Sequence, residues 1–83
     1  MRVLSAAIKN GNVLEIRADR KVDVTVRLLQ LNGRQAAKTL KFECLVGTTR
    51  LKNGFMNIAP GFYLLQIQTV DGREWRFPMG IVR

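Results

Sequence analysis

No histidine occurs anywhere in this chain of 83 residues. That removes the usual general acid–base side chain near neutral pH and the commonest metal ligand. A single cysteine, Cys44, rules out any intramolecular disulfide. Neither a P-loop nor a dinucleotide-type glycine pattern is present. No apolar run approaches the roughly 20 residues a membrane-spanning helix needs. The opening "MRVLSAAIKNGN" has only a short apolar stretch that continues into alternating sequence, so no signal peptide is read there. Acids are scarce, and Asp19, Asp23 and Asp71 fall at turns or outward strand positions where a solvated carboxylate is the ordinary state. The chain is therefore read as a non-enzyme without cofactor or metal.

What is present in excess is positive charge. Fourteen Lys and Arg face six Asp and Glu, a net charge of +8. Such a surplus on a small body attracts polyanions: nucleic acid, acidic polysaccharide or acidic protein. The bases are spread singly, with no block of five or six like charges. Cys44 lies in the apolar stretch "LKFECLV" and is expected as a small buried side chain.

Periodicity is two almost throughout, which is the signature of strands. "VDVTVRL" sets Val22, Val24, Val26 and Leu28 on one face, with Asp23, Thr25 and Arg27 on the other. "NVLEIRA" does the same with Leu14, Ile16 and Ala18, and an opening strand spans Arg2 to Ile8. Asn32-Gly33 signals a hairpin, followed by "QAAKTLKFECLV" with Leu40, Phe42 and Cys44 alternating with Lys41 and Glu43. "VGTTRLKNGF" reads as loop, short strand, loop. "PGFYLLQIQTV" divides Tyr63, Leu65, Ile67 and Thr69 from Phe62, Leu64, Gln66 and Gln68. Asp71-Gly72 closes a second hairpin. In the last strand, Trp75, Phe77, Met79 and Ile81 share a face, and Pro78 marks an edge strand or a bulge. The expectation is one domain over residues 1–83, an all-β, small antiparallel immunoglobulin-like β-sandwich of about seven strands. A five- or six-stranded barrel is the alternative.

Two binding chemistries draw on the aromatic residues. Trp75, Phe77 and Tyr63 could stack nucleic-acid bases, but Trp75 shares its face with apolar neighbours, and no RNP motif or GxxG loop is present. Nucleic acid is not expected as a partner. Carbohydrate is the stronger alternative: Phe62 lies on the face of Gln66 and Gln68, whose amides suit sugar hydroxyls. Arg73 and Arg76 are expected on the face of the last strand opposite Trp75. The candidate ligand-binding residues are thus Phe62, Gln66, Gln68, Arg73, Trp75 and Arg76.

Taken in order, three further elements form a pattern. They are Leu31-Asn32-Gly33-Arg34, then Ile58-Ala59-Pro60-Gly61-Phe62-Tyr63, then the Asp71-Gly72 turn leading to Ile81-Val82-Arg83. This series resembles the type A C-terminal sorting domain of type IX secretion, or a related basic terminal module of bacterial fibre-degrading enzymes, and the resemblance covers about Asn12 to Arg83. The resemblance implies a non-catalytic module at the end of a larger exported enzyme. It would direct secretion and cell-surface attachment, with the secretion machinery or cell-envelope components as partners and a secreted or cell-surface location. Gly33, Gly61, Tyr63, Gly72, Val82 and Arg83 are the motif positions it implies. A polysaccharide- or envelope-binding accessory module is the alternative function.

Overall fold

β-Branched residues at every second position drive the strand over Val22–Gln30, where half-buried pleated surface favours them. The structure, a computed structural model, describes residues 3–9, 13–52, 55 and 58–81. Seven strands form in chain order: β1 Val3–Lys9, β2 Val13–Ala18, β3 Val22–Gln30, β4 Leu40–Cys44, β5 Gly47–Leu51, β6 Gly61–Thr69 and β7 Glu74–Ile81. No helix occurs among the described residues, so none there is long and apolar enough to cross a membrane.

The strands make two antiparallel sheets, β1-β2-β5 and β4-β3-β6-β7. In immunoglobulin lettering this is A-B-E against C′-C-F-G. The constant-type arrangement places its fourth strand beside E. Here that strand, β4, instead pairs with β3. The fold is a small all-β sandwich, as the alternation predicts, and not a barrel.

The core lies between the sheets. Leu14, Ile16 and Ala18 face Val24, Val26, Leu28, Cys44, Tyr63, Leu65, Ile67 and Ile81. Expected inward positions point to the core; Val22, opposite Cys44 at the end of its sheet, and Leu40, Phe42, Trp75, Phe77 and Met79 on the edge strands are half-buried there rather than fully buried. Two core residues come from the β5–β6 connection, Phe55 and Ile58, at 1% and 5% exposure. Alternation does not reveal them, because the sequence from Lys52 to Pro60 has no sustained two-residue apolar period. Pro78 sits on β7, an edge strand, where its missing N–H is tolerated.

The Asn32-Gly33 and Asp71-Gly72 hairpins are built alike. Gly33 N–H donates to Gln30 O and Gln30 N–H to Arg34 O; Gly72 N–H donates to Thr69 O and Thr69 N–H to Arg73 O. Each is a three-residue loop with its glycine at φ +88°, a left-handed conformation that side chains with a Cβ adopt at a cost. After the first turn the pairing shifts. Leu29 opposes Gln35, but Val26 opposes Leu40, so two extra residues are inserted on the β4 side. The "QAAKTLKFECLV" segment is therefore a strand only from Leu40 onward. Its first part is held by Ala36 N–H to Leu28 O and by the Gln35 side chain, which donates to Ala37 O and Thr39 Oγ1.

Candidate functional site

The motif residues fall on the frame of the sandwich. Tyr63 stands at the start of β6, its ring buried and its hydroxyl donating to Ala59 O at 2.5 Å. This is a tyrosine corner. It ties the chain entering β6 back to the segment before it, as immunoglobulin-type sandwiches do at this strand. Gly61 lies beneath that ring, 3.7 Å from it where a Cβ would be. Gly33 and Gly72 close the two hairpins. Four motif positions thus act on the backbone, and Val82 and Arg83 lie outside the described residues.

Asp71 organises its turn in the same way. Its carboxylate accepts from the Thr69 hydroxyl and from Arg73 N–H, and Arg73 Nε is 3.7 Å away. The Thr69 bond first, then the Arg73 N–H, hold its carboxyl below the usual range. That bonding is fully present above the ordinary carboxylate range. It is lost as pH falls through the lowered value.

Phe62, Gln66, Gln68 and Arg76 come together on the outer face of the four-stranded sheet. Phe62 is 77% exposed. Its ring lies against Gly80, 3.6 Å from where a Cβ would stand. The missing side chain at Gly80 leaves room for the Cδ1–Cε1 edge of the Phe62 ring. One row of this face reads Arg27–Gln66–Arg76 across β3, β6 and β7. Arg27 donates to Gln68 Oε1, Gln66 Nε2 donates to Glu74 Oε1, and Arg76 Nη2 lies 3.5 Å from the same Glu74 oxygen. These contacts make two groups, the Arg27–Gln68 pair across β3 and β6 and the Gln66–Glu74–Arg76 set across β6 and β7. Arg27 and Glu74 were not candidates in the sequence, because their place in these groups depends on which strands pair.

Two expectations about this face are corrected, and one ligand candidate falls on the opposite face. Gln66 is not an open solvent-face amide but is 9% exposed. Its position between two arginines in a central row covers it, and its N–H is committed to Glu74. Trp75, although a ligand candidate, lies opposite Arg76 on the inward face, as alternation predicts. It points inward, half-buried against the core, because it alternates with Glu74 and Arg76. Arg73 and Arg76 do not share a strand face. They are three residues apart in a two-residue period, and Arg73 belongs to the turn before β7.

Elsewhere the surface offers less chemistry. A depression of about 400 Å³ is lined by Asp23, Val24, Thr25, Lys41, Phe42, Glu43 and Val70. Asp23 and Glu43 oppose each other across β3 and β4. Such a like-charge pair is unfavourable, and Lys21 Nζ at 3.7 Å from Glu43 eases it. Among the described residues no three Cys, Asp or Glu side chains are grouped to hold a metal ion.

Cys44 is fully buried, and burial pushes its thiol from 9.0 up to about 11. The burial contributes stability below pH 9, and this fades as pH rises toward the folded value. At pH 8 the native protein is expected to react with iodoacetamide far more slowly than the denaturant-unfolded chain, because the thiolate is the nucleophile. Equal labelling rates for the two forms, followed by mass spectrometry, would overturn the assignment.

Comparisons with protein-family models, with curated proteins and with solved structures return no match to this chain.

Proposed function

We propose that this chain is a non-catalytic module that directs secretion and cell-surface attachment of a larger exported enzyme joined to it. The observation that carries the reading is the placement of the motif series. The Asn32-Gly33 turn, the Pro60–Tyr63 corner and the Asp71-Gly72 turn are successive structural joints of one sheet. They lead into β7, which among the described residues is hydrogen-bonded to a strand on one side only, with β1 packed close by. An edge strand offers unpaired backbone groups that a receptor can read by strand addition. In this reading the fold presents the signal, and the joints keep β7 in place. The partners are the secretion machinery or components of the cell envelope.

The test is a reporter enzyme fused upstream of the chain in a host with a type IX apparatus. The fusion is expected at the cell surface, accessible to added protease, while the reporter alone stays periplasmic. A folded, stable fusion that remains in the periplasm would contradict the proposal.

A further inference from the structure

The acids of this chain are unevenly placed. Between Val24 and Phe42 there is none, and between Cys44 and Val70 there is none. Asp19, Asp23, Glu43 and Asp71 gather near the end formed by the β2–β3, β4–β5 and β6–β7 connections. The outer face of β3, β6 and β7, from the Arg27–Gln66–Arg76 row toward Phe62, carries no acid. Glu74, the nearest, lies beyond that row and is held by Gln66 and Arg76. The Arg34 and Lys38 side chains in the exposed β3–β4 connection add charge of the same sign at this end.

We infer that this face binds an acidic polysaccharide, with Phe62 as the stacking platform and Arg27 and Arg76 as the anion contacts. The two arginines stand two strand spacings apart, about 10 Å, so a polymer with repeating carboxylates can meet both. Their positions are set in advance by the bonds to Gln68 and Glu74, which lowers the ordering cost of binding. Each guanidinium has five N–H donors, and most remain available for a planar carboxylate. A sugar ring can lie against Phe62, which is 77% exposed and meets Gly80 along its Cδ1–Cε1 edge. A second copy of the chain is disfavoured, because two bodies of +8 repel. A single nucleic-acid strand fits less well. Such strands use successive exposed rings, whereas Tyr63 and Phe55 are buried and Phe42, Trp75 and Phe77 pack on the core. The inference stands apart from the sorting proposal, since β7's free edge and this face are different surfaces.

The experiment is affinity electrophoresis of the whole chain through gels containing polygalacturonate, carboxyl-reduced polygalacturonate or neutral xylan, with oligo-dT as a competitor. Retardation is expected on polygalacturonate alone. Phe62→Ala, and separately Arg27→Gln with Arg76→Gln, should each weaken it at least about tenfold, while Arg17→Gln with Arg50→Gln on the other sheet should change it less than twofold. Salt at 1 M, where screening acts within about 3 Å, should also weaken it. Thermal melts check each variant, and Phe62→Ala, which removes an exposed ring, keeps the test open if the arginine pair fails to fold. No retardation, equal loss in the Arg17/Arg50 control, indifference to Phe62→Ala, equal binding to the reduced polymer, or displacement by oligo-dT at lower concentration than by soluble polygalacturonate would each overturn the inference.

Discussion

Leu65→Asp is expected to abolish folding, and Leu64→Asp, one residue away, to leave the protein folded. Leu65 is completely buried between the sheets, whereas Leu64 points out beside Leu29 and Pro78. An aspartate at position 65 would have to bury an unpaired carboxylate, which costs several kcal/mol even after the group neutralises itself. A domain of this size has total stability on the order of 5–10 kcal/mol. At position 64 the loss is limited to cross-strand packing, about 1 kcal/mol. Because the side-chain period is two, a one-residue error in register would exchange the two outcomes. Circular dichroism melts read the difference. A cooperative melt for Leu65→Asp with loss of folding in Leu64→Asp would show β6 facing the other way.

Phe55→Ala should lower stability by about 3–5 kcal/mol, the range for deleting a fully buried aromatic ring. Phe55 is among the largest fully buried side chains and belongs to neither sheet. It fills the core from the β5–β6 connection, so no strand residue can move in to replace the lost volume. The residual cavity adds to the lost transfer energy. Urea denaturation should show a lower midpoint with an unchanged slope. A loss below about 1 kcal/mol would mean that the ring is only lightly packed.

The sandwich was legible because its information is local. Alternation in "VDVTVRL" decides which way Val24 and Asp23 point, whatever β3 pairs with. Asn32-Gly33 and Asp71-Gly72 mark their turns by the same local logic. The face chemistry was legible only in part. Phe62 could be placed outside by parity, and Trp75 inside by the same rule. The burial of Gln66 could not, because it depends on Arg27 and Arg76, which lie 39 residues before and ten after it in sequence and meet it only through strand order. Phe55 escaped for a different reason. The sequence around it has no two-residue period, so nothing in its neighbours says which side chain turns inward.

The account separates two tasks. Gly33, Gly61, Tyr63 and Gly72 build joints, and their replacement should act through folding. Any direct reading of the chain by an export receptor must then use β7 and the residues that follow it. The most direct measurement is surface display of the fused reporter after removing only Val82 and Arg83. This cut leaves Ile81 and every other described core residue in place. The account predicts a folded fusion, with an unchanged melt, that is trapped in the periplasm. Surface display at the level of the full chain would contradict it.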